Sequence, residues 1–250
     1  MSGHSKWSTI KRKKGTADAK RGQLFTKLGK EIEVAARAGG DAEFNFKLRM
    51  MIDKARAASM PKENIDRAMR RGAGLEKGAA QFEELVYEGY GPHGVALIVH
   101  VLTDNRNRSV AEVRKTLTRA GGSLGEKGAV AWMFDQRGYL IVPVDDKDAD
   151  ELTMAAIDAG ADDVQTVEET IEVYTRPEEL SKVRDALMAQ GLDVNSAELT
   201  MRAKTTITLG EDSALKTLNL IENLEELDDV QEVFSNLELS DELLSRFEEQ

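Results

Sequence analysis

Lys6, Trp7, Lys11, Arg12, Lys13 and Lys14 fall within nine residues near the start of the chain, and residues of these types suit one kind of chemistry. Ammonium and guanidinium groups neutralise phosphates and release the counterions condensed on them, while an indole among them can stack on a base. The same indole can instead cover a hydrophobic seam, and both readings of Trp7 stand. Lys20, Lys27 and Lys30 extend the cationic series. The first 30 residues hold nine Lys and Arg against one acid, Asp18.

A second candidate is the polar run Thr103-Asp104-Asn105-Arg106-Asn107-Arg108, which precedes an apolar helical pattern. Asn105, Arg106, Asn107 and Arg108 at a helix N-terminus can hold an anion with backbone N–H groups and guanidinium forks. They can equally well satisfy caps and loop carbonyls. The glycine-rich run 121–128 is no phosphate loop. A Walker motif needs G-x-x-x-x-G-K-[ST] between a strand and a helix, and here the glycines follow a helix. They read as a turn with special backbone angles.

Other chemistries lack material. There is no cysteine, and the three histidines, His4, His93 and His100, lie far apart; thiolate metal sites, disulfides and cysteine nucleophiles are excluded, and no cofactor is expected. No HExxH, GxSxG or nucleophile–base pair stands out, so an enzyme is not expected, and no small-molecule substrate is evident. No stretch approaches the roughly 18 apolar residues of a membrane span. The N-terminal cations are followed by no apolar core, so the expected location is the cytoplasm.

Charge divides the 250 residues sharply. The chain holds 34 Lys and Arg against 45 Asp and Glu, a net of -11. Residues 1–71 contain 18 basic against 8 acidic residues, a net of +10; the remaining 179 contain 16 against 37, a net of -21. An acidic body is repelled by a phosphate backbone and a basic end is attracted to it, which points to a nucleic-acid-binding appendage. The alternative is that the basic end packs on the acidic body.

The elements that position these residues follow from periodicity. A helix after residues 16–18 runs to about Ala38, with Leu24, Phe25, Leu28, Ile32 and Ala35 on one face and Lys20, Lys27, Lys30 and Arg37 opposite. A second covers about Ala42 to Ala58, and a third opens at Pro61 and closes at Arg70-Arg71-Gly72. Residues 72–80 read as a hinge. Phe82–Tyr87 and Val95–Leu102 form a hairpin whose second strand is apolar on both faces and therefore central, which makes His100 a core residue. Ser109 and Glu112 match a capping box for the next helix, and a strand is predicted over Ala129–Phe134. From Gly138 to Met201 the pattern is βαββαβ, the ferredoxin-like order. A strand near Thr205–Leu209, a leucine-rich helix from about Ser213 to Leu227 and a strand at Val230–Phe234 follow. The expected fold is α+β: a basic three-helix region with an extended N-terminal arm (1–75), then two ferredoxin-like α/β domains. One (136–203) is inserted in the other (80–135 with 204–240), three consecutive units being the simpler alternative.

Several motifs in order resemble one known family. Gly3-His4-Ser5-Lys6-Trp7, Ile10-Lys11, Asp18, Lys20-Arg21, Phe25-Thr26-Lys27, Tyr87-Glu88-Gly89-Tyr90-Gly91-Pro92, residues 103–108, and Gly121-Gly122 with Leu124-Gly125 and Gly128 are similar to the YebC/PmpR family over nearly the whole chain. Thr9 and His93 depart from its pattern. The resemblance implies a helical N-terminal region with two α+β domains and a regulatory rather than enzymatic role. The implied partner is DNA, as a transcriptional regulator, or ribosomal RNA and the ribosome, as a factor relieving stalled translation or activating it.

Overall fold

The computed structural model describes residues 7, 18–76, 81–145, 147–167 and 169–248. Three helices open it: α1 (Asp18–Ala36), α2 (Phe46–Ala57) and α3 (Lys62–Gly72). They enclose a small core of Leu28, Ile32, Ala35, Leu48, Ile52, Ala55, Ile65 and Ala68. The second helix starts later than periodicity alone suggests. Asn45 caps it by accepting the Leu48 N–H at 3.0 Å, while its amide donates to Ala35 O and Gly39 O; these bonds hold the preceding residues in a turn.

An α+β region follows, with β1 (Glu83–Tyr90), β2 (Ala96–Thr103), α4 (Arg106–Arg119) and β3 (Ser123–Leu124). After the inserted segment it resumes with α7 (Glu211–Glu225), β8 (Val230–Ser235) and α8 (Asp241–Glu248). Its sheet order is β3-β1-β2-β8. Leu97↔Ser235 and Val99↔Val233 pair the hairpin strand with one more than a hundred residues later. As the sequence suggests, β2 is central; every residue but His100 is buried, and His100 sets its ring edge against Phe234 at 5.0 Å. One alternating set of its side chains, Leu97, Val99 and Val101, shares a core with Val113, Leu117, Leu218, Ile221, Leu224 and Val233.

Residues 135–202 form a separate compact unit. It contains most of β4 (Phe134–Pro143), then α5 (Ala149–Asp158), β5 (Asp163–Val167), β6 (Thr170–Thr175), α6 (Leu180–Ala189) and β7 (Ser196–Ala203). Its sheet order, β5-β6-β4-β7, is that of the ferredoxin-like fold. On one face Glu172, nearly fully buried, accepts from the hydroxyls of Tyr139 and Tyr174 at 3.0 and 2.8 Å.

Three local expectations are corrected. Residues 129–133 are a loop and a short 3-10 turn, with strand β4 starting only at Phe134, because the Glu88 carboxylate accepts the N–H groups of Gly128, Val130 and Ala131 at 2.7–2.8 Å and takes those donors from any ladder. Burial would raise the carboxyl pKa of Glu88, but those three backbone donors outweigh it and lower the value. The cap of α4 is Asn105, which accepts from Arg108 N at 3.1 Å; Ser109 lies one turn inside. Thr205–Leu209 contributes only an isolated bridge, Ile207 to Leu237.

Close backbone approach makes some glycines indispensable and others not. A Cβ on Gly72 would collide with Glu33 O and lie 2.7 Å from Ala36 Cβ, whereas one on Gly22 in α1 would meet nothing within 4 Å. Gly72→Ala is therefore expected to lower unfolding stability by about 1–3 kcal/mol, and Gly22→Ala to raise it by about 0.5–1 kcal/mol. Urea denaturation followed by circular dichroism checks both signs.

Candidate nucleic-acid interface

Lys6, Lys11, Arg12, Lys13 and Lys14 lie outside the described residues. Trp7 does not. It is 5% exposed, its indole N–H donates to Glu225 Oε2 at 2.9 Å, and its ring lies 5.3 Å from that of Phe247 in α8. Of the two readings of this tryptophan, the structure adopts the hydrophobic seam. A ring enclosed in this way offers no face to a base, so Trp7 is withdrawn from the nucleic-acid contacts.

The face of α1 that the sequence assigns to phosphate meets the end of α7 instead. Lys27, 7% exposed, donates its ammonium to Glu225 O. Gln23 donates to Glu226 O, and Lys30 to Asp228 O at 2.9 Å and Asp229 Oδ1 at 3.0 Å. Lys20, about half exposed, reaches Glu222 at 3.4 Å and Glu226 at 3.6 Å. The cause is electrostatic. A helix leaves its last carbonyls unpaired and carries partial negative charge there; α7 has no basic residue in its last turn and runs into Glu226, Asp228 and Asp229. The cations that this end requires come from α1. Lys27 and Lys30 are thus corrected from phosphate ligands to internal caps, and Lys20 retains partial access.

Asp229 gathers the other half of the arrangement. Only 2% exposed, it accepts from Thr103 Oγ1 at 3.0 Å, Ser109 Oγ at 2.8 Å, and Arg108 Nε and Nη2 at 3.2 and 2.6 Å, in addition to Lys30. Burial alone would raise its pKa; the bonds from Arg108, Ser109 and Lys30 outweigh burial and bring it down to about 2. Arg108 also holds Asp104 at 2.8 Å. The 103–108 run therefore works mainly as a clamp and cap. Arg106, largely exposed, approaches Glu83 at 3.5 Å, and Asn107 is exposed.

Sequence reasoning overlooked the outer face of α4. Arg114, Lys115 and Arg119 are exposed there, and a signal for them was present: five of the sixteen basic residues after residue 71 lie in this 14-residue helix, with one acid, Glu112. Among the described residues, no three His, Asp or Glu side chains are grouped to hold a metal ion, and no helix is long and apolar enough to cross a membrane.

The clamp sets a pH dependence. The folded pKa of Asp229 lies below its ordinary value of 3.8, so its stabilisation is complete above about pH 4 and is lost as pH falls toward 2. Asp229→Asn is expected to cost about 3 kcal/mol at neutral pH and to flatten the fall in stability between pH 4 and 2; urea titrations at several pH values measure both. Lys27→Ala and Lys30→Ala are expected to lower stability by about 1.5–3 kcal/mol while nucleic-acid affinity stays within twofold of the parent.

Comparison with known proteins fits this architecture. Residues 5–75 match the profile of the TACO1/YebC protein N-terminal domain, and residues 82–237 that of the TACO1/YebC second and third domain. A protein of Chloroflexus aggregans named probable transcriptional regulatory protein is 54% identical, over 99% of this chain and 100% of its own length. One of the same name from Herpetosiphon aurantiacus is 52% identical over the full length of both. The crystal structure of a conserved hypothetical protein from Aquifex aeolicus superposes with a TM-score of 0.81 at 46% identity, covering 90% of this chain and 93% of that one. With both profiles matched in order and full-length relatives at half identity, the chain belongs to the TACO1/YebC family.

Proposed function

We propose that this protein is a transcriptional regulator that binds duplex DNA through its phosphates, chiefly with the N-terminal cations Lys6, Lys11, Arg12, Lys13 and Lys14. The observation that carries this reading is the division of charge, +10 over residues 1–71 against -21 over the rest. An acidic body and a basic end favour approach to a polyanion by that end alone. The names of the full-length relatives support regulation of transcription rather than catalysis.

The internal use of Lys27 and Lys30 shifts the phosphate contacts toward the arm. The run 11–14 stands in sequence between two fixed points, Trp7 in the core and α1 from Asp18 onward, so the body is tethered close to whatever the arm holds. Phosphate contacts position a protein without reading sequence. Weak sequence preference follows, with any preference arising from DNA shape and deformability.

Fluorescence anisotropy with a mixed-sequence duplex tests the proposal. The five arm cations, neutralising five phosphates, are expected to contribute about -4.5 to the slope of the logarithm of affinity against the logarithm of salt. Changing Lys11, Arg12, Lys13 and Lys14 together to alanine is expected to abolish binding at physiological salt and leave the circular dichroism spectrum unchanged. Salt-insensitive binding, or co-sedimentation with ribosomes in place of duplex binding, contradicts it.

A further inference from the structure

Helix α4 breaks the charge pattern of the region it belongs to. Residues 72–250 hold more than twice as many acidic as basic residues, yet α4 carries Arg106, Arg108, Arg114, Lys115 and Arg119 against Glu112. Arg108 is committed to Asp229 and Asp104, and Arg106 faces Glu83. The other three are different. Arg114, Lys115 and Arg119 are exposed, and among the described residues none is engaged in a hydrogen bond or ion pair.

Their spacing places them on one surface. Val113 and Leu117 are fully buried; at about 100° per residue, Asn107, Ala111, Arg114, Lys115, Thr118 and Arg119 point away from that seam. Ala111 and Thr118 keep the middle of this face low between the cations, and Arg114 and Arg119 are separated by about 7.5 Å along the axis. Glu112 lies at its margin, half-buried. The face is also rigid. Asn105 caps the first turn, and Asp229 fixes Arg108 and Ser109.

Three uncompensated cations on a fixed helix, in a region where acids outnumber bases, form a surface complementary to a polyanion. No aromatic residue lies on this face to stack an unpaired base, as single-stranded RNA recognition commonly requires. We propose that the outer face of α4, through Arg114, Lys115 and Arg119, is a second docking surface for the phosphate backbone of duplex DNA, separate in the sequence from the N-terminal arm. This rests on the DNA-binding reading given above. A regulator with two such surfaces grips the duplex at two places, which fixes its orientation and extends the footprint beyond what the arm covers.

The test uses the full chain and a 40-base-pair mixed-sequence duplex across a range of salt concentrations. The triple variant R114Q/K115Q/R119Q is expected to reduce the salt slope by about 3 and to weaken binding by about two orders of magnitude at 0.1 M salt. The charge-conserving variant R114K/R119K is expected to bind like the parent. If the triple variant keeps the parent slope while the arm variant loses binding, the α4 surface is overturned and the DNA-binding reading stands. Loss of binding in the charge-conserving variant also overturns it, since position rather than charge would then matter. A parent protein that binds no duplex at any salt, or binds an RNA hairpin in its place, overturns both.

Discussion

The end of α7 is the point on which the N-terminal half of this protein depends. A helix C-terminus is electronegative through its unpaired carbonyls, and here it is followed by Glu226, Asp228 and Asp229, so negative charge is stacked on negative. Lys27 and Gln23 from α1 resolve this by donating to the terminal carbonyls of Glu225 and Glu226, and Lys30 by donating to Asp228 O and Asp229 just beyond them. The same carboxylate takes Thr103 from β2 and Arg108 and Ser109 from α4. Segments from three distant parts of the chain, α1, residues 103–109 and the end of α7, meet at one buried charge. Removing one partner weakens the compensation of a buried ion, a costly change in a desolvated site.

This arrangement divides the cations of the basic region into two groups. Those on α1 hold the helical region to the α+β region that contains α7; Trp7 reinforces the attachment by packing in the α+β core and donating to Glu225. The cations of residues 6–14 are the group assigned to phosphate. On the proposed function, the two interpretations of the charge division, attraction to an outside polyanion and packing on the acidic body, apply to different residues of the same segment.

Much of the fold was legible in the sequence, and where it was not the reasons are specific. The two-sided apolar pattern of Val95 to Leu102 marks a central strand, and the βαββαβ pattern from Gly138 gives the order of the inserted unit. Turns held by one side chain over several backbone donors are invisible to periodicity, which is why the Glu88 loop reads as a strand. The lysines of α1 mislead for another reason. A cationic helix face looks solvent-directed on a wheel, and only tertiary structure shows that the facing surface is the carbonyl end of α7. Trp7 carries both meanings equally in sequence, and burial decides. In the 103–108 run, Asn105 and Arg108 act as cap and clamp, a use the residue types allow as readily as anion binding. The face of α4 was hidden inside a net charge of -21 that averages over it.

The central claim is that Lys27 and Lys30 serve the fold while the arm serves the nucleic acid. Lysine acetylation footprinting by mass spectrometry, on the free protein and on its complex with duplex DNA, tests it most directly. The account predicts that Lys27 and Lys30 react slowly in both states, and that Lys11, Lys13 and Lys14 react rapidly when free and become protected in the complex. Rapid modification of Lys27 and Lys30 in the free protein, with protection gained only on binding DNA, would contradict it.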